Sequence, residues 1–88
     1  MSEASRIKRL KFRAWHRGTR EADYMIGCFF DHHHANWSEA ELTWFEALLD
    51  EEDVEIMAWA LGTMEVPEKY RGAQMDAFRK LDFVEVPR

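Results

Sequence analysis

The sequence predicts an all-α fold, a small bundle of about five helices, on three observations. Apolar residues recur at three- and four-residue spacing through most of the 88 positions. Ser38 and Glu41 stand at the spacing of a capping box, just before an apolar run. Gly18 and Gly62 fall where two periodic stretches end, the place a helix commonly closes.

Ile7, Leu10 and Ala14, with Phe12 and Trp15 widening the stripe, predict a first helix over residues 5–17 that ends at Gly18. A second helix follows and runs to about His33, with Ala22, Met25, Ile26, Phe29, Phe30 and His33 on one broad face. The third starts at Ser38, where Trp37 and Leu42 have the spacing of a hydrophobic staple. Its inward face is Leu42, Phe45, Leu48 and Leu49, with Trp44 at the margin. The acids at 50–53 suit the positive end of a fourth helix, whose stripe is expected at Val54, Met57, Ala58 and Leu61 before Gly62. Pro67 and Glu68 predict the entrance of a fifth helix, in which Tyr70, Gln74, Ala77 and Leu81 compete with Met75, Phe78 and Asp82 for the inward face. The tail DFVEVPR alternates like a strand but has no second strand to pair with, and is expected to be an extended end. The chain is thus expected to be one helical domain over 1–88, its core at about 5–82, and a monomer.

A chain this short buries little core, and its one cysteine, Cys28, forms no internal disulfide, which fits a reducing compartment. With 47% hydrophobic residues it is nonetheless rich enough to fold. No apolar run approaches the roughly 18 residues of a membrane span, so no membrane association is expected. The net charge of −5 conceals an asymmetry. Arg6, Lys8, Arg9, Lys11, Arg13, Arg17 and Arg20 place seven of twelve basic residues in the first twenty positions, while residues 39–55 are acidic without Lys or Arg. The basic first helix leaves two side readings open: a mitochondrial presequence, and a generic regulatory or nucleic-acid-binding module that tracks phosphates.

Little in the chain looks like catalytic machinery. Asp31 followed by His32, His33 and His34, with Cys28 a turn earlier, invites a metal, but consecutive histidines point apart and no second cluster completes a ligand set. Their place at a helix C-terminus explains them electrostatically. Cys28 on a Phe-rich face is expected to be a buried thiol, and the acids around Asp53 a solvated helix start. No phosphate loop, zinc motif or nucleophile triad can be assembled, so the chain is expected to bind rather than catalyse.

The stretch RAWHRGTRE is what those expectations leave over. Gly18 closes a helix and Glu21 favours the start of the next, but Arg20 there opposes the helix dipole. Two helices meeting at a tight turn would present Arg17, Arg20 and Glu21 as a compact polar patch on a rigid corner. At these residues the chain resembles the succinate dehydrogenase assembly factor 2 type, small FAD assembly factors with the signature Arg-Gly-x-x-Glu, here Arg17, Gly18 and Glu21 around Thr19 and Arg20. Thr19 stands where an apolar residue is common in the family. CFFDH, SEAE and LLDEEDVEIMAW resemble further segments of the family pattern in the same order, over about residues 6–62.

The resemblance implies a helical bundle that binds the flavoprotein subunit of succinate dehydrogenase, or sometimes fumarate reductase, and promotes covalent attachment of FAD to a histidine of that subunit. It implies a partner-binding set of Arg17, Gly18, Arg20, Glu21, Phe30, Asp31, His32, Asp53 and Trp59, with no catalytic or metal-binding residue. No stably bound cofactor is expected, since FAD acts through the client, and no nucleic acid is expected as a partner. A bacterial cytoplasmic location follows from the same resemblance, or the mitochondrial matrix in a eukaryote.

Overall fold

The computed structural model describes residues 3–81, and the expected extended tail lies outside them. Five helices follow one another: α1 (Glu3–Trp15), α2 (Arg20–His33), α3 (Glu39–Leu49), α4 (Asp53–Leu61) and α5 (Ala73–Lys80). Short 3-10 turns at His34–Asn36 and Glu68–Tyr70 complete the order, and no strand occurs among the described residues. The fold is all-α.

α2 is the central element because its apolar residues nearly encircle it. Ala22, Met25, Ile26, Phe29 and Phe30 are buried as the period requires, and so are Gly27 and Cys28. Phe29 packs against Phe78 of α5 at 4.9 Å between ring centroids, Trp37 at 5.5 Å and Phe45 of α3 at 6.2 Å. Such tilted ring pairs add to the area they bury. The histidine run ends α2: the His34 ring stacks on Phe30 and its Nδ1 donates to the Phe30 carbonyl at 2.9 Å.

α3 begins as its sequence dictates. The Ser38 hydroxyl accepts from the Glu41 backbone N–H and the Glu41 carboxylate from that of Ser38, at 3.3 and 2.9 Å. Ser38→Ala is therefore expected to lower stability by about 0.5–2 kcal/mol. An unchanged urea midpoint would show that this cap contributes nothing.

Three expectations are corrected. α1 stops at Trp15, leaving residues 16–19 as the corner, and Phe12 lies exposed rather than in the stripe. In α4 the buried residues are Ile56, Trp59 and Ala60, while Val54 and Leu61 face outward. The apolar residues of that helix satisfy the helical period on two faces, and the face carrying Trp59 and Ile56 removes more apolar area from water. The predicted fifth helix is divided: Glu68–Tyr70 makes a 3-10 turn and the α-helix starts only at Ala73. Both competing faces contribute, since Tyr70, Met75 and Phe78 are buried. Trp44 Nε1 donates to the Tyr70 carbonyl at 3.3 Å and Gln74 Nε2 to that of Glu41 at 3.2 Å, tying this segment to α3.

The charge asymmetry of the sequence is partly cancelled between the packed helices. Arg6 bonds to Glu39 and Glu46 of α3, the latter at 3.0 Å, and Arg13 meets Asp50 at 2.6 Å. One side of the basic helix therefore lies on the acidic one. The carboxylates of α3 hold the Arg6 guanidinium above its ordinary value, Glu46 foremost.

Candidate functional site: the corner between α1 and α2

The corner is built from the backbone outward. Gly18 has φ +111, a conformation that side-chain-bearing residues rarely adopt, and a Cβ there would meet no atom within 4 Å. It turns the chain at the surface with open space above it. Thr19 then caps α2, its hydroxyl accepting from the Ala22 N–H at 3.2 Å. Asp23 reaches back to accept the Arg17 backbone N–H at 2.6 Å. The signal for the cap was in the sequence, since a threonine followed by Glu21 and Asp23 is a helix start; the bond from Asp23 to Arg17 had no such signal.

Arg17 points inward. Its side chain is only 11% exposed and makes three hydrogen bonds: Nε to Asp53 Oδ1 at 2.7 Å, Nη1 to the Leu49 carbonyl at 2.7 Å and Nη2 to the Glu51 carbonyl at 2.9 Å. The last turn of α3 holds no basic residue, so Arg17 supplies from elsewhere the cation that its terminal carbonyls favour. The guanidinium fork thereby joins the α1–α2 corner to the α3–α4 turn. This revises the expected polar patch, in which Arg17 was a surface member. Arg20 and Glu21 are exposed as expected.

The remaining expected partner-binding residues separate into two groups. Asp31 and His32 are exposed near the end of α2, and Asp31 accepts from Trp15 Nε1 at 3.2 Å and pairs with Lys11 at 3.6 Å. Phe30 and Trp59 are fully or almost fully buried, at 0% and 3% exposure, so in this conformation they support the surface from within. Asp53 is not solvated as expected but engaged by Arg17. Glu51 likewise serves the fold, accepting from the Tyr70 hydroxyl at 2.5 Å.

The Tyr70 hydrogen bond is the main reason that the Glu51 carboxyl lies below its ordinary range; partial burial opposes it and Lys69 assists it. Burial first, and then Glu51, hold the Tyr70 phenol well above its ordinary value, so the phenol is the donor at neutral pH. A carboxyl lowered on folding contributes stability above its unfolded-state pKa, about 4.3, and that contribution is lost as pH falls through the lower folded value. Tyr70→Phe is thus expected to lower the melting temperature at pH 7, with the gap from wild type narrowing below about pH 4. A gap that stays constant down to pH 2 would contradict the pairing.

Gly27 was not singled out by sequence reasoning, yet it shapes the site. A Cβ on it would lie 2.3 Å from Cδ2 and 2.4 Å from Cε2 of Trp15, so the indole rests against bare α2 backbone. Only a glycine permits that approach. Trp15, with Tyr24 edge-on at 6.0 Å, walls an open hollow of about 530 Å³ whose rim includes His16, Gly18, Arg20 and Asp23. Among the described residues, no group of three or more His, Cys, Asp or Glu side chains is placed to hold a metal ion. Among them too, no helix is long and apolar enough to cross a membrane.

A family model described as the flavinator of succinate dehydrogenase matches residues 8–82. The chain belongs to this family. The match takes in every helix except the start of α1, and so extends past residues 6–62, over which the sequence motifs lie, to the end of α5. The FAD assembly factor SdhE of Acetobacter pasteurianus is 42% identical over 75% of this chain and 61% of its own length. The mitochondrial succinate dehydrogenase assembly factor 2 of Schizosaccharomyces pombe is 32% identical over 78% of this chain and 50% of its own. An SdhE of Xylella fastidiosa is 36% identical over 70% and 63% respectively. The chain thus spans less than two thirds of each of these relatives. No solved structure matches it at comparable significance.

Proposed function

We propose that this chain is an assembly factor that binds the flavoprotein subunit of succinate dehydrogenase, and of fumarate reductase where that enzyme is made, and promotes covalent attachment of FAD to it. The observation that carries the reading is a hydrogen-bonded corner with Arg20 and Glu21 exposed on it, in a chain of the flavinator family. The charged pair has no role in the core, whereas the residues beneath it are fixed by Arg17, Thr19 and Asp23. A surface held this way can select one arrangement of a client, which is a shift of population rather than chemistry by its own side chains.

The factor acts as a monomeric single domain without a stably bound cofactor. FAD is held by the client, whose own groups then stabilise the charge that develops on the flavin. Pairing of Arg6, Arg13 and Arg17 with carboxylates supports a protein client over nucleic acid, because it leaves fewer cations for phosphates.

Glu21→Ala tests the reading. An exposed acid in a first turn contributes about 0.3–1 kcal/mol, so the melting temperature is expected to move little. Covalent flavin on the co-expressed flavoprotein subunit, read by fluorescence in a denaturing gel, is expected to fall severalfold. Full flavinylation by this variant would reduce Glu21 to a helix-start residue.

A further inference from the structure

We infer that the client is gripped along the outer face of α1 as well as at the corner, through an acidic segment that seats an apolar side chain against Phe12 and Trp15. The inference rests on the function proposed above and names a second part of the same interface.

Phe12 is 62% exposed, in a helix whose other large apolar residues, Ile7, Leu10 and Trp15, pack on the core. Its ring stacks on His16 at 4.0 Å and 15°, and the His16 ring is held by its Nδ1 bond to the Phe12 carbonyl at 2.8 Å. The result is an ordered aromatic pair at the surface rather than a loose side chain. An open hollow of about 500 Å³ lies beside it, bounded by Lys8, Lys11, Phe12, Trp15, His16 and Asp31. Trp15 and His16 also line the hollow at the corner, so the two depressions meet at a shared wall. Exposed aromatics in such a setting are the usual anchors of protein interfaces.

Charge identifies the occupant. The cations on the inner side of this region, Arg6, Arg13 and Arg17, are paired with carboxylates of α3, of the turn that follows it and of α4. Lys8 and Arg20 have no ion-pair partner among the described residues. Lys11 shares Asp31 with the Trp15 N–H, and Asp31 is the one acid on the outer hollow. A local excess of cations on a chain of net charge −5 favours a segment carrying carboxylates on either side of its apolar anchor. The few cations and the acidic remainder make a poor track for a nucleic acid backbone.

The test measures affinity of the full chain for the purified flavoprotein subunit of succinate dehydrogenase at low and high salt, with circular dichroism melts of each variant. Phe12→Ala is expected to weaken binding roughly tenfold, as removal of an aromatic anchor does. The double variant Lys8→Gln, Lys11→Gln is expected to weaken it at low salt and to flatten its salt dependence. Both variants change exposed side chains and should melt close to wild type. Wild-type affinity in both, against a wild type that binds, would overturn the α1 surface and leave the proposed function standing. A wild-type chain that does not bind the subunit would remove that function and this surface with it. Retention on duplex DNA at physiological salt, lost in the lysine variant while subunit binding is unchanged, would also overturn the inference.

Discussion

Gly27→Ala is expected to destabilise the protein by about 1–3 kcal/mol, although alanine is ordinarily the better helix former by about 1 kcal/mol. The reason is the indole of Trp15, two of whose ring atoms would stand within 2.4 Å of the new methyl. Either Trp15 leaves its place, losing its packing and its hydrogen bond to Asp31, or α1 and α2 move apart. Both outcomes consume much of the stability of a chain this size, for which about 0.05–0.15 kcal/mol per residue is typical. Denaturant midpoints of a double-mutant cycle provide the check. In a Trp15→Ala background the clash is gone, so Gly27→Ala should there raise stability. The same loss in both backgrounds would refute the contact. Because Trp15 walls both surface hollows, flavinylation of the client is expected to fall with Gly27→Ala even below the melting temperature.

Arg17→Ala is expected to cost about 3 kcal/mol, because it strands Asp53 and the carbonyls of Leu49 and Glu51 together. Arg17→Lys should recover less than half of that. An ammonium keeps the charge but cannot present the planar fork that serves three acceptors on two elements at once. The measurement is urea unfolding beside client flavinylation, and the two are expected to fall together in both variants. That pattern separates Arg17 from Glu21, whose loss should affect flavinylation alone. A stable Arg17→Ala protein that fails only in flavinylation would show that the arginine acts outward, on the client.

Local chemistry made several elements legible. The capping box at Ser38, the broad stripe of α2 and the closing glycine at 62 are each determined by residues within a turn or two, and each occurs where the sequence puts it. Family membership was legible for a related reason, since it is carried by short ordered motifs. Where periodicity allowed two answers, as in α4 with Val54 and Leu61 against Ile56 and Trp59, neighbouring residues could not decide. The choice belongs to what packs on the helix.

The candidate site divides along the same line. That a charged corner surrounds Gly18 was readable from the sequence, as was the exposure of Arg20 and Glu21. The inward turn of Arg17 was not, because Asp53, Leu49 and Glu51 lie more than thirty positions away and only folding brings them to it. Gly27 gave no local sign either, being a glycine inside a helix whose purpose is an indole from another helix. The sequence by itself determined which segments become helices, the cap at Ser38, the closing glycine at 62 and to which family the chain belongs, since these depend on short-range spacing. The tertiary structure decided which charges are consumed inside and which remain outside, since a guanidinium meets its carboxylate only after the helices have packed.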